Sequence, residues 1–103
     1  MAEVNPRPFD PTQYKSAQRQ DWSKAAAGWK QWWETMERGA QVVSDRLVEL
    51  AEIQPGQRVL DVATGIGEPA VTAARRVGPS GRVVATDQAP QMLAIARERA
   101  ATL

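Results

Sequence analysis

The 103-residue sequence contains neither cysteine nor histidine. Without cysteine there are no disulfides and no thiolate metal ligands; without histidine the usual general base and the commonest metal ligand are missing. No metal site is expected. Aromatic residues other than tryptophan are scarce, one Phe and one Tyr beside four Trp. Neither sign of charge is in excess, since 13 basic and 12 acidic residues leave a formal net charge of +1. A nucleic-acid partner gripped by its phosphates calls for a clear basic surplus, so none is expected. No apolar run approaches the roughly 20 residues of a membrane span, and the start lacks a signal-peptide pattern. The expected setting is cytoplasmic, and the length suits one small domain.

What is present falls into three stretches. Residues 1–15 carry three prolines among the first eleven and predict an extended arm, with Phe9 and Tyr14 as docking points. Residues 16–53 predict two helices. The first places Trp22, Ala25, Ala26, Trp29, Trp32, Trp33 and Met36 on one stripe, with Ser16 or Asp21 as N-cap and Gly39 as the stop. The second, Ala40–Glu52, places Val43, Leu47, Leu50 and Ala51 on one face. After the turn "QPGQ" the period changes. "RVLDVA" (58–63) and "RVVAT" (82–86) read as short buried strands. Each is followed by a helix opened by proline, one over 69–77 with Ala70, Ala73, Ala74 and Val77 inward. The other runs from Pro90 to about Ala101 with Met92, Leu93, Ala96 and Ala100 inward. Strand–helix–strand–helix with short turns predicts a parallel α/β unit with a right-handed crossover. Two parallel strands leave the sheet incomplete, so another segment or a second copy is expected to finish it.

The first strand runs into "VLDVATGIGEPA" (59–70). Gly65, Gly67 and Ala70 match GxGxx(G/A), and Asp87 stands where a dinucleotide fold places its ribose acid. Three features speak against a pyrophosphate. Asp61 lies inside the strand, Glu68 sits at the helix N-terminus, and no Lys or Arg in the loop offsets either acid. A ligand with a sulfonium, an ammonium and a ribose diol, but no phosphate, suits this acid-rich rim better. S-adenosylmethionine has those groups.

"VLDVATGIGEPA" followed by "GRVVATDQAPQML" resembles the first two motifs of class I S-adenosylmethionine-dependent methyltransferases. Within them it is most similar to the branch of ubiquinone and menaquinone biosynthesis enzymes and related small-molecule methyltransferases. The likeness covers roughly residues 53–101. It implies a Rossmann-like class I methyltransferase fold of which this chain holds the first βαβα unit, preceded by two N-terminal helices. Residues 54–103 would be a partial cofactor-binding domain and 16–53 its lid or substrate side. The resemblance also implies roles. Asp61 would orient the methionine ammonium through water, and Ala63 and Gly65 would lie against the cofactor, with Thr64 and Gly67 beside them. Asp87 would bind the ribose diol, and Gln88 with Met92 would border the adenine. Ala63 stands where the family pattern has glycine, a mild departure provided that the backbone need not take a positive φ. Ala89 replaces the usual capping serine.

Other readings stand beside these. Asp61 can be a strand-end acid, Glu68 a favourable charge at a helix start, and "RER" (97–99) a solvated helix face. A tryptophan stripe at helical spacing packs a core more often than it binds a ligand. The functional alternative has Trp29, Trp33 and Tyr14 meeting an acceptor. The expected activity is methyl transfer from S-adenosylmethionine to a small apolar molecule, with no catalytic residue assignable and the isolated chain inactive. The alternatives are a fragment of an NAD(P)-binding oxidoreductase and a non-catalytic truncated module for cofactor binding or interaction.

Overall fold

The structure, a computed structural model, describes residues 6–102. Five elements follow one another: α1 (Pro11–Leu50), β1 (Arg58–Val62), α2 (Ala70–Val77), β2 (Arg82–Thr86) and α3 (Pro90–Ala100). Part of the expected arm, residues 1–5, lies outside the described residues. The rest of it ends sooner than expected, because α1 begins at Pro11 rather than at Ser16. Asp10 is the cap: its Oδ1 accepts the N–H groups of Thr12 and Gln13 at 2.9 and 3.2 Å. Pro11 at the first helical position loses nothing, since its missing N–H would be unbonded there anyway. Phe9 packs on Tyr14 with ring centroids 5.5 Å apart, an apolar staple across the cap.

The two expected helices are one helix of 40 residues. Gly39 does not stop it. Glycine in a helix interior costs about 1 kcal/mol but leaves every backbone hydrogen bond intact, and strong helix formers flank it on both sides. The inward face also differs from the expected one. Ala26, Ser44 and Val48 are buried, whereas Val43, Leu47 and Leu50 are exposed. The apolar stripe of the C-terminal half therefore lies beside the packed seam rather than in it. Ile53 then enters the core as the chain turns.

β1 and β2 pair in parallel, with Leu60 opposite Val84 and Asp61 opposite Ala85. One face bears Val59, Val83 and Ala85, and the helices cover it. Val48, Ile53, Ala73 and Val77 form a core cluster against Val59 and Val83. A second cluster joins Ala26 to Ala89, Met92 and Ile95, with Trp29, Trp33 and Ile66 packed on it. The other sheet face is open: Leu60 is 64% and Val62 71% exposed. The strands are thus half-buried, not buried, because helices lie on one side only. On α3 the inward face is Met92, Ile95 and Arg99, turned from the expected one so that Ala100 is exposed. α3 uses that face to meet α1. No helix among the described residues is long and apolar enough to cross a membrane.

Candidate functional site

Two loops leave the C-terminal ends of the strands, 63–69 after β1 and 87–89 after β2. Such ends are where open α/β sheets hold their ligands. Between the loops and α1 lies a cavity of about 590 Å³. Ala63, Thr64 and Gly65 form one side and Asp87, Gln88 and Met92 another, while Trp22 and Trp29 of α1 close it as a wall.

The β1 loop is shaped by left-handed residues. Ala63, Gly65 and Gly67 have φ of 62°, 58° and 111°. The expectation that Ala63 avoids positive φ fails, since the chain must reverse direction directly after the strand. Gly65 has nothing within 4 Å of where a Cβ would stand, so a ligand can approach its backbone closely. Gly67 plays a different part. It lies outside the cavity wall, and a Cβ there would meet the Ala96 Cβ at 3.4 Å. It lets the loop pack on α3.

Asp87 ties the two loops together. Its Oδ2 accepts the Gly65 N–H at 2.9 Å and its Oδ1 accepts the Ala89 N–H at 2.8 Å. The second bond is an Asx turn onto the N–H of Ala89, the residue before α3, and it leaves the helix start without a side-chain cap. The Gly67 N–H is bonded to the Thr64 carbonyl at 3.0 Å, so neither glycine N–H is free for a ligand carboxylate. Asp61 stands one step behind the cavity wall, its Oδ2 accepting the Thr64 hydroxyl at 2.7 Å. This bond holds the buried Thr64 in place.

Of the expected substrate residues, only Trp29 reaches the cavity. Trp33 packs in the seam under the Arg99 guanidinium, whose carbon is 4.8 Å from the ring centroid. Tyr14 serves the helix cap. Five cavity residues were missed: Trp22, Val62, Ile66, Glu68 and Thr86. Trp22 lies on the same helical stripe as Trp29, seven positions before it, which is the signal that could have found it. The "RER" reading fails at its third residue, for Arg99 is only 5% exposed. Arg99 also supplies the counter-charge to Glu68 that the loop itself lacks, at 3.5 Å. Glu68 therefore cannot serve as a reason against a phosphate ligand.

A parallel strand pair, a left-handed glycine loop and an acid just after the second strand are the arrangement of the N-terminal portion of class I S-adenosylmethionine-dependent methyltransferases. The family model of protein-L-isoaspartate(D-aspartate) O-methyltransferase matches residues 1–103, and the chain belongs to that family. Among curated proteins it is 44% identical over 52 residues to a ubiquinone/menaquinone biosynthesis C-methyltransferase of Ectopseudomonas oleovorans, covering 50% of this chain and 31% of that protein. The enzyme of the same name from Bordetella avium is 47% identical over 49 residues, 48% of this chain and 19% of that one. The chain thus spans less than a third of the length of these curated relatives. No solved structure matches it. Membership in a methyltransferase family favours the first reading over the oxidoreductase alternative.

Proposed function

We propose that the cavity binds S-adenosylmethionine and that the chain supplies the cofactor-binding part of an enzyme methylating a small apolar acceptor at carbon or oxygen. The observation that carries this reading is the placement of Asp87. Its carboxylate is fixed at the cavity by one backbone N–H on each oxygen. An ionised carboxylate accepts about four hydrogen bonds, so each oxygen keeps a lone pair for a ribose hydroxyl. The rest of the lining fits. Gly65 offers open backbone, Gln88 and Met92 offer an adenine edge, and none of the described residues lining the cavity is Lys or Arg.

When bound, the sulfonium supplies an activated methyl group for in-line displacement. The chain's residues contribute position and desolvation. Asp87 orients the ribose, Thr64 and Asp61 stiffen the loop beneath the methionine portion, and Trp22 and Trp29 exclude water from one side. The family name specifies an isoaspartyl acceptor, and the relatives' name specifies a C-methylation in quinone biosynthesis. Indole walls without a cation favour an apolar acceptor over a carboxylate. A further segment, completing the sheet, would supply the rest of the acceptor pocket, and we place the reaction in the cytoplasm.

Titration calorimetry with S-adenosylhomocysteine tests the cofactor. Asp87→Ala is expected to weaken binding by about 2–4 kcal/mol through loss of two charge-assisted hydrogen bonds. Unchanged affinity in that variant removes Asp87 from the site. Binding of NAD(H) without any response to S-adenosylhomocysteine sinks the whole reading. In a methyl-transfer assay the chain alone is expected to show little or no turnover.

A further inference from the structure

Arg99 is the one buried charged side chain among the described residues, and the hydrogen bonds of its guanidinium join parts that frame the cavity. From α3 its guanidinium donates to Glu37 Oε1 of α1 at 2.6 Å and to the Ile66 carbonyl of the β1 loop at 3.0 Å. It also reaches Glu68 Oε1 at 3.5 Å and lies 4.8 Å from the Trp33 ring centroid. Glu68 continues the chain of bonds. Its Oε2 accepts the Thr72 hydroxyl at 2.7 Å, and Thr72 Oγ1 in turn accepts from Gln41 Nε2 at 3.0 Å. Gln41 stands one helical turn after Glu37. The circuit therefore closes: α1, α3, the β1 loop, α2, and α1 again.

We propose that Arg99 is a positioning residue that sets the ligand affinity of the cavity without touching the ligand. The α1 wall carries Trp22 and Trp29, the loop carries Ala63 to Gly65, and Arg99 fixes the distance between them. The fork geometry matters here. One planar group bonds a carboxylate and a carbonyl at once while stacking on an indole, which the ammonium of lysine cannot do. At this point α1 presents the polar Glu37 and Gln41, so the circuit adds a directional tie to the apolar cluster of Ala26 with Ala89, Met92 and Ile95. This proposal rests on the cavity being the S-adenosylmethionine site.

Calorimetric titration of S-adenosylhomocysteine, with circular dichroism of each protein, tests it on the 103-residue chain. R99K is expected to weaken binding about tenfold or more, and E37Q about three- to tenfold, with helical content retained. The double variant should bind no more weakly than R99K, because both changes break one circuit. K30A removes an exposed pair between α1 and α3, the 2.9 Å contact of Lys30 with Glu98, and should leave affinity unchanged. If R99K and E37Q lower the melting temperature yet bind like the parent, Arg99 is merely structural and the proposal is wrong. A parent that binds no S-adenosylhomocysteine defeats the cofactor reading instead. Acrylamide quenching of the tryptophans, which needs no ligand, then decides the positioning claim. R99K should expose indole to the quencher, and unchanged quenching overturns the claim.

Discussion

Ala63 carries a methyl group at φ 62°, where its Cβ crowds the backbone and glycine does not. The strain sits at the first residue of the loop that faces the cavity. Ala63→Gly is expected to raise stability by about 0.5–1 kcal/mol, the relief being partly offset by the extra freedom of glycine in the unfolded chain. Urea denaturation measures it, and a loss of stability would show that the methyl makes a contact worth more than the strain. The places of Asp61 in β1 and Asp87 after β2 were legible in the sequence because strand ends and glycine spacing fix them locally, but the bond of Asp61 to Thr64 behind the cavity wall was not. Arg99 was not, because its partners Glu37, Ile66 and Glu68 lie far off in the chain and meet it only once the helices pack. One local sign was available: Arg99 stands seven residues after the buried Met92, on the same side of α3.

Among the elements, α1 departs furthest from its expected form. Gly39 lies exposed in its interior, with nothing within 4 Å of where a Cβ would stand. Gly39→Ala should therefore stabilise the protein by about 0.5–1 kcal/mol through helix propensity alone. No gain in the thermal melting temperature would mean that the glycine allows a bend. The start of α1 is written in Phe9, Asp10, Gln13 and Tyr14, a capping pattern with its staple, but the surrounding prolines fit an extended arm equally well. The strands and the two later helices were read almost to the residue, since Pro69, Gly78 and Pro90 punctuate them. Which face of α1 turns inward could not be read, because its most apolar stripe is not the one that packs.

The whole molecule measures 63 × 28 × 23 Å, with a radius of gyration of 17.3 Å. A compact chain of this length would have about 13 Å, so α1 overhangs the body it packs on. Val43, Leu47 and Leu50 on the outer side of the packed half of α1, and Leu60, Val62 and Val84 on the open sheet face, leave apolar surface on two sides. Self-association of the isolated chain follows from this and from the unpaired strand edges. Light scattering at rising concentration should show dimers or larger species, and Val62→Lys should reduce them. A monomer at every concentration would show that these surfaces do not pair with each other.

The α1 seam decides whether that helix can leave. Glu37 and Gln41 meet Arg99 and Thr72 there, while Ala26 and Val48 of the same helix lie in the two apolar clusters. Parting the seam therefore uncovers apolar surface and leaves the buried Arg99 without its carboxylate. Added salt would shield the exposed Lys30–Glu98 pair far more than the buried Arg99–Glu37 pair. Moving α1 would thus uncover both clusters at once, which makes the helix a fixed wall of the cavity rather than a hinged one.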